Sequence, residues 1–201
     1  MPGGISIRLP ALAGEQLHFT GEAMKIIDSL AGEKRLELTE KYRGECRLLM
    51  HELFTNAVNH SSSSEVEFSF TLNADHILIE MVTEGPGFRI KPVNPDSTPG
   101  NKVFEPPFSG LINRTFILHL DSEFEVVCRV ESENTLSLFS RTRDIPDVNK
   151  NSSIPEHFGL FIITRLGTGV RYRKENDGRN IFSLKRLLPG NHAAPNHFRD
   201  P

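Results

Sequence analysis

Cysteine is nearly missing from this sequence. Cys46 and Cys128 are the only two, far apart and without the spacing of metal ligands. They predict a buried, reduced pair of thiols and give no support to a zinc centre. Long apolar runs are missing too, so no segment reaches the length of a bilayer-spanning helix. The opening "MPGGISIRLPALAG" lacks the charged start and apolar stretch of a signal peptide. Positive charge is not in excess: 23 Lys and Arg stand against 26 Asp and Glu, for a net charge of −3 with both signs interspersed. That excludes a basic nucleic-acid footprint and a polybasic membrane patch. Internal repeats and coiled-coil heptads are absent as well. The expectation is a cytoplasmic protein with neither nucleic acid nor membrane as a direct partner.

What is present is phenylalanine, 14 residues of it, enough for a substantial core in 201 residues. One domain over 1–188 with a disordered polar tail at 189–201 fits that length. "ISIRLPA" (5–11) alternates as a strand. A helix follows over 13–31, with Leu17, Phe19, Met24, Ile26, Ile27 and Leu30 apolar and Gly32 as its expected stop. A second helix runs from about Thr39 to His60 on the stripe Tyr42, Cys46, Leu49, Leu53 and Ala57.

After the serine loop 61–64, expected to be solvated, "EVEFSFTL" and "HILIEMV" alternate around the turn "NAD" and read as a hairpin. Three further alternating stretches fill 115–141, within an insertion or lid at about 91–156. "FGLFIITRL" reads as a short apolar helix, and "GVRYRK" and "NIFSLKRLL" as a closing hairpin. The fold class that buries all of these faces is an α/β two-layer sandwich, with a mixed β-sheet and helices packed on one face.

The stretch "HELFTNAVNHSSSS" (51–64) puts chemistry on the second helix. Glu52 and Asn56 are four residues apart, so they point within roughly 40° of each other, beside the apolar stripe. A carboxylate there can move a proton or orient water. An amide oxygen one turn away suits Mg²⁺, which takes oxygen ligands and keeps several waters. A zinc-protease reading of "HELFT" fails, because Thr55 stands where the second His is required. His51 reads as a surface or supporting residue and His60 as a helix-end group favoured by the dipole.

"ELFTNAVNHS" resembles the N box of the GHKL, or histidine-kinase-like, ATPase superfamily, and the layout is most similar to the bacterial anti-sigma factor serine kinases. "TEGPGF" stands at that family's first glycine box and "HFGLFIITRL" at its second. The resemblance covers about 1–90 and 154–188. It implies ATP and Mg²⁺ as cofactors, with Glu52 as general base and Asn56 on the metal. Gly85, Gly87 and Phe88 would form the turn against the adenine, and Gly159 with Leu160 would offer backbone N–H groups to the phosphates. Helix N-termini favour anions, which supports that last role on physical grounds.

Two positions depart from the family pattern. Thr83 stands where the family has an Asp that accepts from the adenine amino group, and His157 stands at the first glycine of the second box. Between Phe88 and Gly159 lie 70 residues, where the family has a short mobile lid. Two functions therefore stay open. One is an ATP-dependent serine kinase acting on an anti-anti-sigma-type partner, working as a homodimer by resemblance. The other is a catalytically impaired module of the same fold that holds a regulatory protein partner, such as a sigma factor, without nucleotide turnover.

Overall fold

The structure, a computed structural model, describes residues 4–93, 103–121, 123–143 and 158–190. Residues 94–102, 122 and 144–156 of the predicted 91–156 insertion, His157 and the tail beyond residue 190 lie outside these. Strand β1 (Ile5–Pro10) leads through a short 3₁₀ turn into α1 (Gln16–Glu33), then α2 (Glu40–His60), β2 (Glu65–Leu72) and β3 (His76–Glu84). β4 (Thr115–Leu120), β5 (Phe124–Ser132) and β6 (Thr135–Thr142) come next. α3 (Phe158–Leu166), β7 (Thr168–Lys174) and β8 (Arg179–Leu187) close the described chain.

The strands form a single eight-stranded sheet in the order β1-β2-β3-β8-β7-β6-β5-β4. The two-layer sandwich is as expected, but the sheet is not mixed: every pairing is antiparallel. Between β1 and β2 the reason is the pair of helices. Two in succession return the chain to the end where β1 finished, so β2 must run against it. The predicted insertion contributes β4–β6, which continue the same sheet because β6 pairs with β7.

Strand periodicity decides what the helices cover. Val66, Phe68 and Phe70 of β2 and Ile77, Ile79 and Met81 of β3 are buried, each at every second position. α1 lays Phe19, Ala23, Ile27 and Leu30 onto that surface, and α2 buries the whole predicted stripe from Tyr42 to Ala57. The rings of Phe19 and Phe54 stack at 4.9 Å, and Phe19 meets Phe68 at 4.3 Å. Burying each such ring stabilises the fold by about 1.5–3 kcal/mol. Both cysteines are buried and unpaired, as expected.

Two helix expectations are corrected. Leu17 is 83% exposed, because it lies about 200° around the helix from Phe19 and off the stripe. Gly32 does not stop α1. The reversal comes at Arg35, whose φ is 54°, and Leu36 N–H and Arg35 N–H donate to Ala31 and Gly32 carbonyls at 2.9 Å each. That is the two-bond closure of a left-handed helix cap, here made by arginine in place of glycine. α2 starts where predicted: the Thr39 hydroxyl accepts from Tyr42 N–H at 3.2 Å.

Arg186 of β8 ties the layers together. It bonds Glu45 of α2, donates to the Leu166 carbonyl at the end of α3 at 2.8 Å, and lies 4.5 Å over the Tyr42 ring. α2 and α3 are thereby fixed side by side over the sheet, and the candidate site opens between them.

Candidate nucleotide site

The end of α2, the end of β3 and the start of α3 surround a cavity of about 430 Å³. Six predicted site residues line it: Asn56, Thr83, Gly87, Phe88, Gly159 and Leu160. Their positions follow from local structure. Asn56 sits one turn before the end of α2, partly buried beside Ala57. Thr83 lies on the core side of β3 after Met81, only 7% exposed, while Glu84 points away and is exposed.

The turn after β3 needs its glycines. Gly85 has φ 129° and Gly87 φ 94°, both in the left-handed half of backbone space. A Cβ on Gly87 would come 2.6 Å from the Tyr172 hydroxyl. The turn is held by its own carbonyl: Gly85 O accepts from Lys174 Nζ at 2.5 Å and from Asn180 Nδ2 at 3.3 Å. Phe88 then packs on the Tyr172 ring at 5.6 Å.

At the other end, Glu52 and Asn56 meet the first turn of α3. A Cβ on Gly159 would lie 2.6 Å from Glu52 Oε2 and 3.7 Å from Asn56 Oδ1, so glycine lets the helix start close over both. Glu52 itself does not line the cavity; its carboxylate lies against that helix start, where the dipole favours negative charge.

The serine loop is not simply solvated, since Ser61 and Ser62 line the cavity and Ser61 Oγ is buried without a hydrogen-bond partner among the described residues. His60 also lines it. Partial burial, and next the charge of Lys91, hold its imidazole below the usual histidine value. His51 is a supporting residue, sharing the Gln16 amide with Thr55.

Sequence reasoning missed Asn180, Tyr172, Phe182, Arg89 and Lys91, all of which line the cavity. The signal for Asn180 was present: a polar residue in register with Phe182 and Leu184 on the core face of a strand. Of the described part of the 91–156 segment, only Lys91 reaches the cavity, so no described side chain of it fills the space beside Asn56.

The lining contains two cationic side chains and no carboxylate among the described residues. Such a cavity suits an anionic ligand with an apolar, planar part. Residues 20–185 match the profile of the histidine kinase-like ATPase domain. The chain belongs to this family. No curated protein matches the chain. Among the described residues of this ATPase-like domain, no helix is long and apolar enough to cross a membrane, and no three His, Cys, Asp or Glu side chains cluster as a metal site. A Mg²⁺ held mainly by phosphates and water needs only a single side-chain oxygen, which Asn56 offers.

Proposed function

We propose that the chain binds ATP with Mg²⁺ in the cavity between α2, β3, β8 and α3. The observation that carries this is the lining, carboxylate-free and cationic, with Asn56 beside the start of α3. Asn56 Oδ1 holds the metal, and Mg²⁺ offsets charge on the phosphates. Backbone N–H groups of Gly159 and Leu160 face the phosphates, and Phe88 with the glycine turn packs on the base. Glu52 accepts the proton of an attacking hydroxyl. The reaction is transfer of the γ-phosphoryl group of ATP to a serine hydroxyl of a regulatory protein of the anti-anti-sigma type, by a cytoplasmic and homodimeric kinase that controls transcription through its partner. It breaks the bond between the γ-phosphorus and the β–γ bridging oxygen and releases ADP.

A second reading keeps the fold and the protein partner but not turnover. It is favoured by two observations: Thr83 supplies an uncharged hydroxyl at the base end, and Glu52 lies outside the cavity lining. Calorimetric titration of ATP and ADP with Mg²⁺ into wild type and Asn56→Ala tests binding. Heat with wild type and an affinity loss in Asn56→Ala support the site, whereas silence at millimolar nucleotide sinks it. Incubation of the ATP-bound protein with candidate serine-bearing partners separates the readings, because only the kinase reading yields phosphoserine that vanishes in Glu52→Gln.

A further inference from the structure

The helices cover one face of the sheet. On the other face, the side chains of β2, β3, β7 and β8 are all at least partly exposed. Strand alternation places Glu65, Glu67, Glu80 and Glu84 there from β2 and β3. From β7 and β8 it places Arg171, Arg173, Arg179 and Lys185. The signs are separated by strand: β2 and β3 put no Lys or Arg on this face, and β7 and β8 no Asp or Glu. Between the two halves, Val82 of β3 and Ile181 of β8 are cross-strand partners, both half-buried.

A face that is acidic on one side of an apolar seam and basic on the other is complementary to itself under a two-fold axis along the strands. With that axis between β3 and β8, β3 lies over β8 of a second copy and β2 over its β7. Register fixes the rows. The row of Val82 and Ile181 also holds Glu67 and Arg173, so Val82 meets the partner subunit's Ile181 and Glu67 the partner subunit's Arg173. The next row holds Glu80, Ser183 and Arg171, which brings Glu80 beside the partner subunit's Arg171. Each contact occurs twice, as an isologous interface requires. An axis across the strands would instead set acid on acid and base on base.

We propose that a second copy of this chain docks on the open face, sheet against sheet, through the Val82–Ile181 seam and the charged residues on either side of it. The inference rests on the homodimeric reading above and assigns its interface. Six facing strands about 4.8 Å apart, each with about six residues of about 3.3 Å, cover roughly 600 Å² per copy. The total of about 1,200 Å² stands at the low end of stable interfaces, so the pairing of opposite charge decides partner and orientation. Glu67 and Arg173 also bond Arg8 and Glu175 within the chain. Glu80 pairs with no Lys or Arg among the described residues, and Glu131 reaches Arg171 only at 3.5 Å, which makes Glu80 and Arg171 the sharper probes.

The test is sedimentation velocity of the full chain over a concentration series, for wild type, Glu80→Lys, Arg171→Glu and an equimolar mixture of the two variants. Wild type is expected to be a dimer. Each variant alone sets like charge against like charge twice and should weaken the dimer by at least about tenfold. In the mixture both contacts are again opposite in sign, so a dimer holding one copy of each variant should return. Misfolding cannot imitate that recovery. A dimer that withstands either substitution, or weakened variants that do not recover on mixing, overturns this interface and leaves the homodimeric reading standing. A wild type that stays monomeric throughout overturns both, and the nucleotide reading is unaffected because the cavity lies on the helix side of the sheet.

Discussion

The two ends of the cavity are built in different ways. The end proposed for the phosphates comes from one helix and the start of another: Glu52 and Asn56 one turn apart on α2, with Gly159 closing over them. The end proposed for the base joins β3, with Thr83, to the distant hairpin of β7 and β8, with Tyr172 and Asn180, through pairing and hydrogen bonds. At the first end a missing side chain allows close approach. At the second, the neutral side chains of Tyr172 and Asn180 are bonded to each other and, with Lys174, to the Gly85 carbonyl.

Substitutions at the phosphate end should give the largest effects. Asn56→Ala is expected to lower Mg²⁺-dependent ATP affinity by at least about 100-fold, measured by titration with and without excess chelator. If the loss is the same without Mg²⁺, Asn56 contacts something other than the metal. Gly87→Ala should act on the fold as well as the base end. A non-glycine residue at φ 94°, with its Cβ 2.6 Å from the Tyr172 hydroxyl, costs about 1–3 kcal/mol of stability, read from denaturant midpoints. A neutral result would mean that the turn and Tyr172 move apart freely.

The same contrast explains what could be read from the sequence. The α2 cluster is local: helical spacing alone brings Glu52 and Asn56 to one side, so the stretch 51–64 exposes them. The stripe from Tyr42 to Ala57 was legible for the same reason. Asn180 and Tyr172 carry meaning only once β8 is known to pair with β3 and β7. The hairpin of β7 and β8 was legible, but the pairing of β8 with β3 spans nearly a hundred residues, and alternation does not encode it. The mixed sheet was misjudged on similar grounds, since strand direction depends on which neighbours pair. Gly32 misled because its composition signals a helix end, whereas the left-handed turn is set by Arg35 and its two backbone bonds.

At the base end the expected changes are smaller and leave the fold intact. Thr83→Val keeps the shape of the side chain and removes the hydroxyl. It should weaken ADP binding by about fivefold, the equivalent of one neutral hydrogen bond near 1 kcal/mol. The phosphate-end affinity, measured with inorganic triphosphate, should not move. If Thr83→Val leaves ADP binding unchanged, the Thr83 hydroxyl does not contact the base.

The smallest effect expected is a pH dependence at the rim of the cavity. His60 has its proton affinity lowered from the ordinary value of 6.5, first by partial burial and then by the charge of Lys91. The unfolded chain therefore takes up a proton at a higher pH than the folded one. Stability from this residue is fully present above about pH 6.5 and is lost as pH falls through the lower folded value. His60→Gln should flatten that limb of the stability curve, and Lys91→Gln should shift it toward 6.5. An anionic ligand near Lys91 would offset its charge and raise the folded value of His60. The slope should then shrink in saturating ATP, which links this weakest term back to the phosphate end.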